Sequence, residues 1–518
     1  MRGQKMVPAA QAFVTEEARP HGHVWAVLGL LRKIGLDQVL AAKPCRERDL
    51  VVAMIAARLI HPCSKLATTR SWSQTTLAQE LGAEEADEDE LYQALDWLAG
   101  RQERIEKKLA ARHLTEGGQA LYDLSSSYYE GRTCPLARYG HSRDGKKGRP
   151  IIVYGVMTDQ EGRPVSVRVY PGNTGDPTTV PEQAEKLREK YGLDRVVLVG
   201  DRGLLTQTQL DHLKKYPGLG WISALRFESV RRLVEEGPRQ LSLFDRQNLA
   251  EISSPAFPGE RLVACFNPLL AEERGRKREE LLQATEAALS QIVREAARRR
   301  KTPLTQAEIG RKVGRVLGRF RMGKHFDLDI GPGTFSFRRN EVSIRREADL
   351  DGLYVIRTSE PPERLSAPDA MRSYKSLAQV EKLFRTFKSI DLKVRPIHHR
   401  DETRVKAHIF LCLLAYYLEW HMRAALAPLL FDDEELGRDR KRRDPVAPAR
   451  PSLSALHKKR RRITAEGLPV QSFQTLLAHL ATWCRVRCRV DTPTGAAHFH
   501  QLTQKTPLVE RAFELLGL

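Results

Sequence analysis

The chain predicts an α/β fold built on a mixed sheet, preceded by a helical domain and interrupted by a long insertion. Three observations carry this expectation. Between Ala120 and Leu225, apolar runs of strand length alternate with amphipathic helical stretches in the order three strands, helix, strand, helix, strand. Residues 21–114 carry helical periodicity throughout. Between 227 and 350 that order is lost, and strand-like runs flank a long charged helical stretch. At 518 residues, with 41% hydrophobic content, the chain is long enough for about three to four domains with sizeable cores. Its 85 lysines and arginines exceed its 65 aspartates and glutamates, a net charge of +20 that suits a polyanionic partner, nucleic acid above all. The longest apolar run, Ile409–Leu418, falls far short of the ~20 residues a bilayer span needs, and the N-terminus lacks the apolar core of a secretory signal. Seven cysteines, odd in number and sparse, suggest no disulfide framework. These features exclude a membrane or small secreted protein and leave a cytosolic one.

Taken in order, the first segment offers Asp49 as a cap for a helix carrying Leu50, Met54, Ile55 and Leu59, stopped by Pro62. A helical stretch with Trp72 and Leu77, an acidic link from Glu84 to Glu90, and a helix with Leu91, Leu95 and Leu98 follow. Short helices with polar turns suit either a helix-turn-helix DNA reader or a plain bundle. The next strands are Ala120–Asp123, Ile151–Thr158 and Pro164–Tyr170, the last two joined by a turn from Asp159 to Arg163. A helix over Pro181–Lys190, a strand over Arg195–Gly200, a helix over Leu204–Lys214 and a strand over Gly220–Leu225 complete the set. The first three can form an antiparallel meander, and helical crossovers add parallel strands.

Beyond it, Arg261–Phe266 and Thr334–Ile344 read as strands, with a charged helix from Glu272 to Arg300 between them. From Arg294 to Lys324 there are eleven basic and two acidic side chains. That imbalance, densest at Arg298–Lys301, points to a phosphate-facing surface, whereas a balanced run would be a solvated face. A strand over Leu353–Thr358 precedes a capping-box-like start, Ser376-Leu-Ala-Gln379, to a helix with Val380, Leu383, Phe384 and Phe387. Val405–Leu426 reads as a core helix, residues 432–463 as an exposed basic linker, and the last 50 residues as helical. No internal repeat is present. The domain boundaries that follow are 1–115, 116–226, 227–350, 351–430 and 431–518.

Three carboxylates fall where strand or helix geometry would present them at one edge of the core. Asp123 interrupts the strand in ALYDLSSSYYEG, Asp201 ends the strand of RVVLVGDRG, and Glu381 lies on the helix LAQVEKLFRTFK. The C-terminal ends of strands are where open α/β sheets place ligands. Hard cations such as Mg2+ take oxygen ligands, and a pair of them can clamp both oxygens of a phosphodiester displacement. Singly, each carboxylate could equally bond a turn, cap a helix or face water. Lys388 follows Glu381 by two helical turns and shares its face, where it could meet a phosphate or be a snorkelling surface lysine. Tyr374 could bond phosphate through its hydroxyl, and Arg202 could do so or form an ion pair. Cys484, Cys488, His498 and His500 offer zinc-type donors at an unorthodox spacing. His398 and His399 read as DNA-facing or structural.

In context the segments YDLSSSYYEG, VVLVGDRG and Y-x6-E-x6-K (Tyr374, Glu381, Lys388) together resemble the DDE transposases of bacterial insertion sequences, in the branch whose third motif is Y-x2-R-x3-E-x6-K. The PGN at Pro171–Asn173, DGLYVIRT, and KVRPIHHRDETRVKAHIFLCLLA extend the resemblance over roughly residues 120–425. Residues 1–115 are similar only in helical character. The resemblance implies a ribonuclease H-like core with a β-rich insertion between Asp201 and Glu381. It implies Asp123, Asp201 and Glu381 as ligands for two Mg2+ or Mn2+ ions, and Tyr374, Lys388, Arg202 and Arg385 as DNA contacts. One departure stands out: Leu377 occupies the arginine position of the third motif, with Arg372 and Lys375 close by. The implied activity is cleavage of transposon-end phosphodiesters and strand transfer into double-stranded target DNA, by a homodimer holding two ends. A transposase-derived DNA-binding protein without catalysis, or a ribonuclease H-like nuclease that never joins ends, are the alternatives.

Overall fold

The computed structural model describes residues 13–236, 249–299, 301–388, 391–446, 450–492 and 495–518. It is a mixed α/β protein. Of the described residues, those within Met1–Ile222, Arg372–Arg443 and Arg450–Leu518 pack as one compact unit, and those within Ser223–Met371 and Asp444–Ala449 as a second. No described helix is long and apolar enough to cross a membrane.

The first unit opens with strand β1 (Val14–Pro20) and a series of helices ending at His113, among them α1 (Arg46–Ile60). Helix α1 starts at Arg46, so Asp49 sits inside its first turn, favourable to the helix dipole, and does not cap it. Asp87 does cap, accepting the Glu90 N–H for the helix that buries Leu91, Ala94, Leu95 and Leu98.

The central sheet comprises β2 (Gln119–Tyr128), β3 (Ile151–Asp159), β4 (Pro164–Pro171), β5 (Val196–Val199) and β6 (Leu219–Ala224), in the order β4-β3-β2-β5-β6. β2, β3 and β4 form an antiparallel meander, and β5 and β6 add in parallel to β2. Helical crossovers cover the sheet, which is why β3 is buried at every residue and reads as a continuous apolar run. One core gathers Tyr122, Leu124, Met157, Leu198 and Trp221 with Val180, Leu187 and Leu210 from the crossover helices.

The second unit contains β7 (Leu249–Ile252), β8 (Arg261–Phe266) and β11 (Leu353–Thr358), paired antiparallel in the order β7-β8-β11, and the hairpin β9 (Phe326–Gly331)–β10 (Thr334–Arg339). Two helices, α2 (Pro268–Arg298) and α3 (Gln306–Phe320), dominate it, the first covering the charged helical stretch expected from Glu272, so the insertion is mixed where the resemblance implied a β-rich one. Their apolar faces meet the hairpin through Leu289, Ile309, Val313, Phe326 and Phe335. The strand expected over Thr334–Ile344 stops at Arg339, because Asn340 accepts the Ser343 N–H and caps a helix over Glu341–Ala348.

Back in the first unit lie α4 (Ala367–Lys375), α5 (Leu377–Lys388) and α6 (Glu402–Leu426). Ser376 donates its hydroxyl to the Arg372 carbonyl and so closes α4, where the sequence suggested a cap for α5. Helix α6, buried along most of its length, is the core helix expected. The stretch 432–463 is not an extended linker among its described residues. It holds helices over Leu436–Arg442 and Leu453–Arg461, and Lys458 is buried with its ammonium donating to the Ala427 and Asp432 carbonyls. The C-terminal region contains a hairpin, β12 (Cys484–Thr492) and β13 (Gly495–Leu502), with β1 on its other side, where helix was expected.

Candidate active site

Asp123 lies mid-way along β2, the middle strand of the five. The β2–β5 pairing runs Gln119↔Val197, Ala120↔Leu198, Leu121↔Val199. Carried two residues further, that register sets Asp123 beside Asp201, which lies two residues past the end of β5. The chain turns away there: Asp201 Oδ1 accepts the Gly203 N–H at 2.9 Å and the Leu204 N–H at 2.7 Å. Asp123 Oδ1 accepts the Leu124 N–H at 2.8 Å. Burial, and then the Asp201 carboxylate, push the Asp123 carboxyl up to about 7. Two acids held this close in a half-buried setting resist losing both protons.

Glu381 comes from α5, which packs on β2 and β3 through Val380, Leu383, Phe384 and Phe387, the last two ring-to-ring with Tyr154. With that face buried, Glu381 and Arg385 are exposed. Tyr374, on α4, links the three acids. Burial, and after it the nearby Asp201, Asp123 and Glu381 carboxylates with Arg202 opposing them, raise its phenol to about 12. The Tyr374 hydroxyl therefore lies within the field of all three acids and of Arg202, itself exposed. Among the described residues, no three His, Cys, Asp or Glu side chains converge closely enough to form a ready-made metal cage.

Lys388 is placed differently from its sequence reading. Its side chain is only 12% exposed and its ammonium sits 3.0 Å from Asp144. Asp144, 1% exposed, also pairs with Arg395 at 2.5 Å and accepts the Tyr128 N–H. Lys388 thus balances a buried carboxylate. Of the residues near the vacant arginine position, Arg372 donates to the Arg443 carbonyl, and Lys375 is exposed.

Sequence reasoning missed Asp144, Asp176 and Arg143. Arg143 ion-pairs with Asp176, and both act on the Asp123 carboxyl, Arg143 lowering and Asp176 raising it. Their only sequence signals were an acid inside the glycine-rich RDGKKG and another just after PGN. The zinc-type quartet does not assemble. Cys488 pairs across the hairpin with Phe499, whereas His498 and His500 pair with Arg489 and Arg487, so thiols and imidazoles occupy opposite faces. His398 bonds the Glu130 carbonyl at 3.3 Å, and His399 lies in a basic cavity away from the three acids.

The family model described as "Transposase DDE domain" matches residues 130–418, more than half of the chain. The match takes in Asp201, Tyr374, Glu381 and Lys388 and begins seven residues after Asp123. The comparison with curated proteins gives no match. Among solved structures, one similar chain is that of the piggyBac transposase synaptic complex with hairpin DNA, at 9% identity and a TM-score of 0.36, covering 88% of this chain and 75% of that one. On the match over residues 130–418, the chain belongs to the transposase DDE domain family.

Proposed function

We propose that the protein is an insertion-sequence transposase that cleaves phosphodiester bonds at transposon ends and transfers the freed strand into target DNA. The observation that carries the reading is that Asp123, Asp201 and Glu381, from a mid-sheet strand, the end of its parallel neighbour and a helix packed on the sheet, all act on the phenol of Tyr374. The strand order β4-β3-β2-β5-β6, a meander followed by two parallel strands, is that of a ribonuclease H-like core and supports the same reading.

The acids suit a hard divalent cation. They offer only oxygen donors, and the burial and the Asp201 carboxylate that raise Asp123 penalise a charge that a cation between them would balance. Asp123, Asp201 and Glu381 would hold Mg2+ or Mn2+, two ions in all, which would polarise the scissile phosphate and acidify an attacking water. The acids are ligands, not covalent nucleophiles. Tyr374 keeps its proton at neutral pH and donates it in a hydrogen bond to a phosphate oxygen. Arg202 and Arg385, both exposed, contact flanking phosphates as positioning charges. Lys388 acts through Asp144, fixing the start of the segment that carries Arg143 towards Asp123. Two ends must be held together for transfer, so the working form is a homodimer on DNA.

The test is a gel assay of binding, cleavage and joining on DNA carrying the inverted repeats that flank the gene, with and without Mg2+. Asp123→Asn, Asp201→Asn and Glu381→Gln should each abolish cleavage and joining while leaving end binding intact, because lysine and arginine contacts to phosphate do not depend on the acids. Near-wild-type cleavage by any one removes that residue from the set. Wild-type binding without cleavage, or cleavage without joined product, would replace the proposal by a DNA-binding protein or a simple nuclease.

A further inference from the structure

The first unit holds a second concentration of charge, opposite in sign. A cavity of about 540 Å3 lies between α1, the segment 62–65, Tyr92, the segment 393–401 and the start of α6. Six cationic side chains line it, Arg58, Lys65, Lys393, Arg395, Arg400 and Arg404, against one carboxylate, Asp401. Asp401 is occupied in capping α6, where it accepts the Arg404 N–H. Arg395 is paired with Asp144 and Arg404 with Asp96 at 3.1 Å. The remaining four have no carboxylate partner among the described residues. Two of those four are buried: Arg58 is 6% exposed and Lys65 is 3% exposed.

Two neighbouring buried cations without a counter-charge are costly to a fold, since burial of an unpaired charge forfeits its hydration. The strain shows at Lys65, whose ammonium burial and Arg58 together pull down to about 7. The neighbouring imidazoles supply no counter-charge, and burial, Lys65 and Arg58 keep His399 and His408 from adding positive charge. The cavity is within the size range of small-molecule pockets and far larger than a single ion needs. At its wall the Tyr92 and His399 rings stand edge to face at 6.0 Å, apolar surface beside the charges.

We propose that this cavity is a binding site for a phosphomonoester dianion, with Arg58 and Lys65 as its buried cationic floor and Arg400 at its mouth. The charge count selects the ligand class. Two unpaired buried cations match the two negative charges of a monoester near neutral pH, whereas a mid-strand phosphodiester brings only one. Arginine supplies a planar fork for two phosphate oxygens and lysine a point charge for a third. The site is separate from the acids: the segment 393–401 bonds β2 beyond its end, through Tyr129 and Glu130, six or more residues past Asp123 and so about 20 Å along an extended strand. A 5′-terminal phosphate on a DNA strand and a free phosphate or nucleotide present the same chemistry.

The experiment is thermal unfolding of the full chain in EDTA, at fixed ionic strength, titrated with inorganic phosphate. Wild-type protein should be stabilised saturably, by mass action on the native state. Lys65→Met and Arg58→Met should lose that response while melting no lower than wild type in phosphate-free buffer, because each removes an uncompensated buried charge. Arg400→Ala, at an exposed position that does not put folding at risk, should weaken the apparent affinity several-fold. Asp123→Asn should keep the full response, which separates this site from the acids and from the fate of the transposase reading. A second arm compares duplexes with 5′-phosphate and 5′-hydroxyl ends. At least tenfold tighter binding of the phosphorylated end assigns the pocket to DNA termini, and equal binding with an intact phosphate response assigns it to a free phosphate compound. No saturable response in the wild type, or an undiminished one in Lys65→Met, Arg58→Met and Arg400→Ala, overturns the proposal.

Discussion

Asp123→Asn should make the protein more stable while making it inactive, and the size of the gain follows from the site. In the native state burial and the Asp201 carboxylate raise Asp123 from an ordinary 3.8 to about 7. At 1.36 kcal/mol per pH unit, keeping it ionised at pH 8 costs up to about 4 kcal/mol. Its residual solvent contact reduces that to about 2–4 kcal/mol. The sign follows from proton counting. Between pH 4 and pH 7 the native state binds a proton that the unfolded chain has released, so wild-type stability falls as pH rises through that window and levels off above it. Asparagine has nothing to titrate, and its amide oxygen can still accept the Leu124 N–H. The variant should therefore gain most at pH 8 and less than half as much at pH 5. All six tryptophans, at 25, 72, 97, 221, 420 and 483, fall in the first unit, so urea unfolding followed by tryptophan fluorescence in EDTA reads the relevant unit alone. Adding Mg2+ should then stabilise wild type and leave Asp123→Asn unmoved. Parallel pH profiles for the two proteins, or a variant less stable at pH 8, would refute the claim that burial and the Asp201 carboxylate hold the Asp123 carboxyl raised in the fold.

Three further outcomes are expected. Asp144→Asn, leaving Lys388 and Arg395 without their shared buried carboxylate, should cost about 3–5 kcal/mol in the same urea assay, and Lys388→Met less, because Arg395 and the Tyr128 N–H still serve Asp144. The buried pair Lys186–Glu106, 2.7 Å apart and at most 6% exposed, should behave alike: Lys186→Met costs about 3–5 kcal/mol, and adding Glu106→Gln recovers much of it in a double-mutant cycle. Reversing Arg298, Arg299 and Lys301 should flatten the dependence of log K for DNA on log salt by about 0.9 for each phosphate no longer neutralised, with Arg299 mattering least because it pairs with Glu295. Arg300, the fourth member of that run, lies outside the described residues. An unchanged slope would make the run a solvated helix end.

The sheet was legible because its strands are covered on both faces and separated by helices with clear periodicity. The strand expected over Leu353–Thr358 has those bounds, and the long helix expected over Val405–Leu426 begins only three residues earlier. The place of Asp201 was legible as well, since an acid one glycine beyond VVLV falls just past a strand end. The hairpin near the C-terminus was misread although it carries a period of two, with Arg485, Arg487 and Arg489 alternating with Val486, Cys488 and Val490. That alternation runs over only six residues between longer helical stretches, and the exposed β13 adds none to confirm it as a hairpin. The stretch 432–463 misled for a related reason. Its charge density says solvent, yet Lys458 is buried because three acceptors, two carbonyls and Glu434, converge on it from segments 24 to 31 residues away. Asp144 and Asp176 sit in loops, where no periodicity marks them, and only the fold shows the first beneath Lys388 and the second beside Arg143.

Charge along β2 gives these observations a common physical basis. Near its middle the strand carries a buried acid beside a second one, and Asp123 responds by holding its proton up to about 7. Beyond its end the chain gathers positive charge in excess, and Lys65 absorbs that imbalance by losing its proton at about the same pH. Elsewhere in the same unit buried charges are neutralised internally, as in Lys186–Glu106 and in Asp144 with Lys388 and Arg395. Among the described residues those pairs are matched within the fold, whereas Asp123 keeps a raised carboxyl in spite of Arg143, and Lys65 has no carboxylate partner. Charge that burial penalises is a stability cost that a ligand of opposite sign relieves, a cation beside Asp123 and a phosphate beside Lys65. Neutral substitutions at Asp123 and Lys65 should accordingly share one signature that none of the paired residues shows: greater stability without ligand, and no further stabilisation when the matching ligand is added.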